Sequence, residues 1–247
     1  MTTSGNLVRR GVLIGLVCVL AALVVAAVVY LNTSYPASDA ALDALASDGQ
    51  VTVTTQDDGD IVFAPADGVS AVGLVFYPGG KVDQRAYAPL MRECAERGYT
   101  CVLVSMPFNL AVFDAGAAAG EEDAFPEVER WYIGGHSLGG AMAASYAADH
   151  AGEFDGLLLC AAYSTDDLSQ TGLKVESVYG TADGVLNRES YEKYRGNAPQ
   201  MAEDVIDGGC HSYFGDYGMQ DGDGKPSITR EEQLARTADD LVAMDLA

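Results

Sequence analysis

The order of apolar runs and helical patterns along this sequence predicts the α/β class: a mostly parallel central sheet with helices on both faces. Two near-continuous apolar runs, at 72–77 and 156–161, are typical of parallel strands that are buried on both faces. Apolar residues at helical spacing over 83–97 separate the first run from a further strand at 100–105. A strand, a glycine-rich turn and a helix then follow one another around residue 137. With 247 residues, the chain is long enough for one such domain.

The remaining elements fit the same architecture. They are a β-hairpin formed by strands at 51–55 and 61–63, a helix and loop that end near 126, a strand at 175–179, a short strand within 201–207, and a C-terminal helix from a capping box at 229–232 to about 244. Only residues 162–174 lie between the strands at 156–161 and 175–179, so a lid domain does not fit there.

The N-terminus is predicted to be a separate, membrane-associated segment. Residues 11–31 form an uncharged apolar run, which as a helix is about 32 Å long and can cross a bilayer. Arg9 and Arg10 precede this run, and no Lys or Arg follows it before Lys81. The positive-inside rule therefore predicts a single-pass protein with a cytoplasmic tail (1–10), a transmembrane anchor (11–31), a linker (32–50) and an extracytoplasmic domain (51–247). A cleaved signal peptide is the alternative interpretation.

Charge and cysteine usage exclude several classes of function. The net charge is −22, and all 36 acidic residues follow the apolar run, which argues against nucleic acid as a partner. Five cysteines do not form a disulfide framework for a domain of this size, although Cys94 and Cys101 remain candidates for a pair. No zinc-binding pattern occurs, and the stretch at 221–224 lacks calcium-ligand spacing and is expected to be a solvated turn. We expect no metal and no cofactor.

The most informative motif is G-x-S-x-G, from Gly135 to Gly139. A strand at 130–133 precedes it and an alanine-rich helix at 141–150 follows it, which is the context of a nucleophile elbow. Such a turn presents a serine at a strained backbone angle, so glycine is expected two residues to either side. The motif predicts Ser137 as a nucleophile and the Leu138 N–H, at the helix N-terminus, as a donor to an oxyanion.

A serine nucleophile needs a base, and the chain has three histidines. His136 adjoins Ser137, and its side chain is expected to leave the turn in another direction and to pack beside it. His150 lies 13 residues along the following helix, about 20 Å away. His211 follows the last predicted strand in a glycine-rich loop, where it can lean over the carboxyl edge of the sheet. The sequence therefore predicts His211 as the base.

The acid that orients this imidazole is expected to lie between the serine and the histidine along the chain. Asp183 fits best, because it lies in a tight turn at 180–184 directly after a buried strand. Asp166 and Asp167, one strand earlier, are the main competitors, and Asp207 is close to the histidine in sequence. A predicted Ser-His-Asp triad of Ser137, His211 and Asp183 results.

Several segments together resemble the α/β-hydrolase superfamily, and within it a lidless bacterial subfamily related to dienelactone hydrolases. The segments are FYPGGKV at 76–82, MPFNLAVF at 106–113, GGHSLGG at 134–140, YGTADGVL at 179–186 and CHSYFGDYG at 210–218. The resemblance extends from about Val51 to the C-terminus. It implies that Gly80 donates the second oxyanion N–H; because Pro78 replaces the histidine of the usual His-Gly-Gly motif, Lys81 is the alternative donor. Dienelactone hydrolases themselves use a cysteine where this chain has Ser137.

These residues predict a membrane-anchored serine hydrolase of the carboxylesterase type, which cleaves a small-molecule carboxylic ester or thioester through an acyl-enzyme. Phe108 and Phe113, together with Leu110, are candidates for lining an acyl pocket, with core packing as the alternative. Lys81 is a candidate for binding a substrate carboxylate, or is simply exposed. Two other functions use the same fold: a catalytically silent binding protein and an acyltransferase of the cell envelope.

Overall fold

The computed structural model describes residues 3–246, and the chain divides into two compact units with the boundary between Ser34 and Tyr35. The helices are α1 (Thr3–Asn32), α2 (Asp39–Asp43), α3 (Ala88–Glu96), α4 (Glu121–Ala124), α5 (Leu138–Asp149), α6 (Arg188–Tyr194) and α7 (Arg230–Leu246). The strands are β1 (Val51–Thr55), β2 (Ile61–Pro65), β3 (Val72–Tyr77), β4 (Thr100–Leu103), β5 (Arg130–His136), β6 (Gly156–Cys160), β7 (Lys174–Gly180) and β8 (Ala202–Ile206).

The first unit is the long helix α1. Its segment Arg10–Asn32 is long and apolar enough to cross a membrane, with a mean hydropathy of 3.2, and its apolar side chains are exposed. A signal sequence near an N-terminus also meets these criteria of length and composition. The helix predicted over 11–31 is therefore present, and its role as an anchor stays a prediction.

The second unit is built on one eight-stranded sheet with the order β1-β2-β4-β3-β5-β6-β7-β8. The hairpin of β1 and β2 is antiparallel and joins β4 in the antiparallel sense, whereas every other neighbouring pair is parallel. The predicted α/β class with a mostly parallel sheet is confirmed. Among the described residues, no helix or strand lies between β6 and β7.

Alternating side chains of the strands bury two separate apolar layers, one on each face of the sheet. In β3, Leu74 and Phe76 pack into the layer that also contains apolar residues of α3 and α7. Val75 and Tyr77 of the same strand point to the other face, where they pack in a layer with alanines of α5. Because β3 is covered on both faces, its sequence is apolar without interruption, as the sequence analysis assumed.

The parallel strands bring their carboxyl ends to one edge of the sheet. Tyr77 at the end of β3 pairs with Gly135 of β5, and His136 at the end of β5 pairs with Cys160 of β6. Gly180 at the end of β7 pairs with Ile206 of β8. The loops that follow these strands therefore open at the same edge, which is the usual position for ligands in open parallel sheets.

Two parts of the second unit differ from the sequence expectation. The helix predicted over 83–97 begins as a 3₁₀ turn (Gln84–Tyr87) that Asp83 caps, and α-helical geometry starts only at Ala88. The segment 35–50, expected to be a linker, is largely fastened to the domain: the Tyr35 N–H donates to the Lys81 carbonyl (2.7 Å), and the Ser38 N–H to that of Asp216 (2.8 Å). Backbone hydrogen bonds to loops far along the chain cannot be read from local sequence.

All five cysteines are free thiols, and the four in the second unit are buried. Burial raises the pKa of Cys101 and Cys160 well above the ordinary value, and that of Cys210 to about 12. These thiols are therefore protonated and poorly reactive at neutral pH.

A cluster of carboxyl groups on β7, β8 and α7 makes stability depend on pH. Burial, and the negative charges of Asp204 and Glu176, raise the pKa of Asp240 to about 7. The folded chain thus holds a proton that the unfolded chain releases, so stability falls as pH rises from about 4 to about 7. We expect Asp240→Asn to raise the melting temperature at pH 8 and to leave it nearly unchanged at pH 4.

The neighbouring Asp239 offers a matched control in the same thermal unfolding series. Its side chain is 69% exposed and pairs with Arg97 (2.7 Å). Asp239→Asn should not stabilise the protein at pH 8. Equal melting curves for wild type and Asp240→Asn at both pH values would contradict the prediction.

Candidate active site

The turn between β5 and α5 holds Ser137 in a conformation that side chains rarely adopt. Its backbone angles are φ 53° and ψ −121°, and its N–H donates to the Cys160 carbonyl (2.9 Å). A Cβ on Gly139 would lie 2.2 Å from the Pro78 carbonyl oxygen, and a Cβ on Gly135 would lie 2.7 Å from the Gly139 backbone. Glycine is therefore required at both positions, and the half-buried serine side chain is presented on a sharp, strained turn.

Asp183 and His211 form a buried pair at the same edge of the sheet. The Asp183 Oδ2 atom lies 2.9 Å from the His211 Nδ1 atom, and both side chains are at most 1% exposed. The second carboxylate oxygen accepts the N–H groups of Val185 (2.9 Å) and Leu186 (2.8 Å), which fixes the orientation of the acid. Because a carboxylate only accepts hydrogen bonds, the ring hydrogen of neutral His211 belongs on Nδ1 and leaves a lone pair on Nε2.

The Nε2 atom of His211 is buried and has no hydrogen-bond partner among residues 3–246. Its ring packs against the ring of His136, with centroids 4.4 Å apart, and His136 directly precedes Ser137. The structure thus brings the loops of the predicted base and nucleophile together, without a hydrogen bond between imidazole and hydroxyl. Catalytic hydrogen bonds are often long in structures without substrate and shorten when it binds.

The competing acids make other contacts, none of them to the His211 ring. Asp167 accepts the N–H of Ser169, and the N–H of Asp166 donates to the Ser164 hydroxyl. Asp207 is exposed and accepts from the Thr181 hydroxyl. The third histidine, His150, stacks on Tyr146 at the far end of α5, with ring centroids 4.0 Å apart. Of the candidates weighed from sequence, Asp183 is the one that contacts the His211 ring.

The loop after β3 distinguishes between the two candidate oxyanion donors. The Lys81 N–H donates to the Asn109 carbonyl (2.7 Å), so it is already engaged. The Gly80 and Leu138 N–H groups have no hydrogen-bond partner in the described part of the chain. They belong to adjoining residues, since a Cβ on Gly80 would lie 2.9 Å from the Leu138 side chain. Two neighbouring unpaired N–H groups beside Ser137 suit a developing negative charge.

The predicted substrate-binding residues are partly accessible. Phe108 and Phe113 are 49% and 55% exposed, with ring centroids 5.8 Å apart, so neither is a core residue. Leu110 is buried and lies near Gly80. Lys81 has a left-handed backbone (φ 64°) and is half-buried, and its contact with a substrate stays a prediction. Among residues 3–246, no group of His, Cys, Asp or Glu side chains is arranged to hold a metal ion.

A sequence profile described as the alpha/beta hydrolase family matches residues 73–235, which is well over half of the chain. The chain belongs to this family. No curated protein gave a significant match to the sequence. The matched region contains the elbow, the Asp183 turn and the His211 loop.

Solved structures of esterases share the fold of this α/β hydrolase. Est1E from Butyrivibrio proteoclasticus has a TM-score of 0.58 at 11% identity, over 80% of this chain and 100% of that one. The Pyrobaculum calidifontis esterase has a TM-score of 0.56 at 16% identity, over 84% of this chain and 90% of that one. Thermogutta terrifontis esterase 2, in a structure of the enzyme phosphoramylated by tabun, has a TM-score of 0.54 at 18% identity, over 79% of this chain and 95% of that one. At these identities the likeness establishes the fold of the hydrolase and leaves its substrate open.

Tyr87 and His136, which the sequence analysis had not assigned to the site, form hydrogen bonds beneath it. The Tyr87 hydroxyl accepts the N–H of Gly79 (2.9 Å), next to Gly80, and lies 2.8 Å from His136 Nδ1. Burial, and the nearby His211 ring, lower the pKa of His136 well below the ordinary value, so this ring is neutral. His136 was expected to pack beside the turn; it does, and it also links Tyr87 to the His211 ring.

Tyr87→Phe tests this support. The change leaves the Gly79 N–H and His136 Nδ1 buried without a partner, and we expect a loss of about 1–3 kcal/mol in the free energy of unfolding. Turnover of an ester should fall as well, because the Gly80 loop and the ring beside His211 both lose a fixed contact. Urea denaturation and steady-state kinetics measure the two effects.

Tyr99→Phe is the control for Tyr87→Phe. Tyr99 is also buried, but it precedes β4 at the opposite edge of the sheet, and its hydroxyl makes a single long bond to the Leu241 carbonyl (3.3 Å). This variant should lose some stability and keep full turnover. If both variants changed turnover equally, the proposed link would be wrong.

Asp223, placed in a solvated turn by the sequence analysis, instead joins the loops of the acid and the base. One carboxylate oxygen accepts the N–H groups of Gly184 (3.1 Å) and His211 (3.2 Å), and the other accepts both the N–H (2.8 Å) and the hydroxyl (2.6 Å) of Ser212. Burial alone would raise the pKa of Asp223, but these hydrogen bonds outweigh it and lower the pKa. The expectation was wrong because the hydrogen-bond partners of Asp223 lie on other loops, which local sequence does not show.

Asp223→Asn should therefore destabilise the hydrolase and reduce turnover, since an amide nitrogen cannot accept these hydrogen bonds. A lowered carboxyl pKa contributes stability above about pH 4 that is lost as pH falls further. The difference in unfolding free energy between wild type and variant should accordingly shrink below pH 4. Asp221→Asn, at an exposed position of the same turn, should change neither property. If the difference in unfolding free energy between wild type and Asp223→Asn did not change with pH, the explanation through the charge of Asp223 would be wrong.

Proposed function

We propose that this α/β hydrolase is a membrane-anchored, extracytoplasmic serine hydrolase that cleaves a carboxylic ester or thioester through an acyl-enzyme. The observation that carries the proposal is the buried hydrogen bond between Asp183 and His211, whose second ring nitrogen is unpaired and whose ring packs against His136, the residue before Ser137. An imidazole oriented by a carboxylate, and free to take a proton, is what a serine nucleophile requires.

The proposed reaction has two steps. The Ser137 hydroxyl attacks the carbonyl carbon of the substrate while His211 Nε2 takes its proton, and the oxyanion is held by the N–H groups of Gly80 and Leu138. The ester bond breaks, and the leaving alcohol receives the proton from His211. Water then attacks the acyl-enzyme in the same manner, which releases the acid and restores the serine.

Further features of the proposal rest on sequence. The apolar helix and the two arginines before it support the assignment of 1–10 as a cytoplasmic tail, 11–31 as an anchor and 51–247 as the catalytic domain. The quoted motifs support a relation to dienelactone hydrolases, with serine in place of their cysteine. Two of the structural neighbours are named esterases, and one carries an organophosphorus group, which motivates both the substrate class and the choice of probe.

Replacement of Ser137 or His211 by alanine tests the assignment directly. Each change removes a group that makes or breaks bonds, so turnover of a short p-nitrophenyl ester should fall by about a thousandfold or more. A fluorophosphonate probe should label wild type and fail to label Ser137→Ala. His150→Ala, which removes a histidine at the far end of α5, should remain as active as wild type.

Asp183→Asn should cause a similarly large loss, because an amide favours the wrong ring tautomer of His211. The matched control is Asp207→Asn, which replaces an exposed aspartate after β8 and should keep full turnover. Labelling without turnover of any ester would favour acyl transfer to another acceptor. Absence of both labelling and turnover would favour a silent binding protein.

A further inference from the structure

The loop after β4, residues 106–113, carries an unusual cluster of exposed apolar side chains; we name it the rim loop. Phe108, Val112 and Phe113 are 49%, 51% and 55% exposed, and the two phenylalanine rings contact each other. None of the eight residues of the loop is charged, although one residue in five of the whole chain is. Single exposed apolar residues are ordinary, whereas an uncharged cluster that includes a pair of aromatic rings indicates a surface that binds an apolar partner.

The backbone holds these side chains outward. Phe108 and Asn109 have left-handed backbone angles (φ 57° and 55°), an unfavourable conformation for two consecutive residues other than glycine. The intervening side chains of Leu110 and Ala111 are buried and anchor the loop. The two phenylalanines are therefore held at the surface by a loop of defined backbone conformation. The backbone strain at residues 108 and 109 is tolerated in this conformation.

The rim loop adjoins the proposed oxyanion site. The Asn109 carbonyl accepts the N–H of Lys81 (2.7 Å), the residue after Gly80. Leu110 also packs near Gly80, since a Cβ placed there would lie 3.7 Å from the leucine side chain. The exposed apolar cluster thus borders the mouth of the proposed active site.

The second unit of the chain begins at Tyr35, which is hydrogen-bonded to the loop after β3. The Tyr35 N–H donates to the Lys81 carbonyl (2.7 Å), and the Tyr35 carbonyl accepts the N–H of Asp83 (2.9 Å). The helix that is apolar enough to cross a membrane ends at Asn32, so only residues 33 and 34 intervene along the chain. The first residue of the second unit, Tyr35, therefore follows that helix closely along the chain and is hydrogen-bonded to Lys81, the residue after Gly80.

We infer that the rim loop inserts its apolar side chains into the membrane surface and that the substrate is a membrane lipid that carries an acyl ester. The inference rests on the proposed function and on the proposed anchor. The net charge of −22 disfavours attraction to an anionic surface, so the contact is apolar and suits zwitterionic lipid. Hydrolysis then transfers the acyl group of the lipid to Ser137 and afterwards to water, and the rest of the lipid leaves as an alcohol.

The membrane contact can be tested without catalysis. The chain has a single tryptophan, Trp131, which is 3% exposed and gives a constant background. The full chain would be reconstituted in phosphatidylcholine vesicles with brominated acyl chains, as Val112→Trp and as Val69→Trp. Val69 is also exposed, but it precedes β3 at the opposite edge of the sheet. Because interfacial residues reach the acyl boundary, emission from position 112 should be quenched about twofold or more, and emission from position 69 should be unchanged.

Equal quenching at the two positions, or none at position 112, would overturn the inference. Shielding of position 112 that depends on protein concentration and not on brominated lipid would instead assign the rim loop to contact between copies of this chain. Either result leaves the proposed function intact, because the readout does not involve Ser137.

A second experiment tests the substrate class on the same proteoliposomes, with a lipid acyl ester in the vesicle and a water-soluble short ester. A charge in the apolar boundary is unfavourable, so Val112→Glu should lower turnover of the vesicle lipid about tenfold and leave the soluble ester unchanged. Val69→Glu should affect neither substrate. Unchanged turnover of lipid in Val112→Glu, or wild-type activity on the soluble ester alone, would refute the inference; inactivity on both esters without probe labelling would refute the proposed function.

Discussion

The close approach of α5 to the ends of β3 and β5 is the constraint on which the site depends. Gly139 lies so near the carbonyl groups of Tyr77 and Pro78 that a methyl group would overlap them. The absence of side chains lets the backbone turn sharply between strand and helix, and this turn places Ser137 at φ 53° with the helix N-terminus beside it. A larger residue at position 139 would force strand and helix apart and would displace Leu138 from Gly80.

A second set of contacts fixes the groups around the serine. Asp183 and His211 are held together by their own hydrogen bond and by Asp223, which binds the backbone of both loops. On the other side, Tyr87 connects the loop of Gly80 to His136. Groups from four loops are therefore oriented by hydrogen bonds, and those of His211, Gly79 and His136 are buried, where a polar group is costly to leave unpaired. Such preorganisation is what an electrostatic catalyst needs.

The same edge of the sheet also carries the apolar surface of the molecule's second unit. The rim loop, the Gly80 loop and the start of the unit at Tyr35 are connected by backbone hydrogen bonds through Lys81. The residues of the proposed ester hydrolysis and a surface that suits an apolar environment thus share one set of loops. In the proposed function these two properties meet in a substrate with an apolar acyl chain.

The sequence predicted the strands of the sheet, their class and the elbow, because these depend on local patterns. Val72–Tyr77 is apolar throughout since both of its faces are covered, and the capping box at Thr229 forms as expected, with mutual hydrogen bonds to Glu232. Candidate residues such as Ser137 and His211 were also accessible from sequence, because few residues of each type follow a strand at the right edge.

Other features depended on contacts between distant parts of the chain. The sequence favoured Asp183 over Asp166, Asp167 and Asp207 as the partner of His211, but the contact itself depends on the geometry of separate loops. The bridging position of Asp223, the link through Tyr87 and the attachment of residues 35–50 were missed for the same reason. Local pattern determined which elements form and which residues can react, since periodicity and turn chemistry act between neighbours. Tertiary structure alone decided which of those residues meet, because a hydrogen bond between loops depends on distances that only the packed sheet sets.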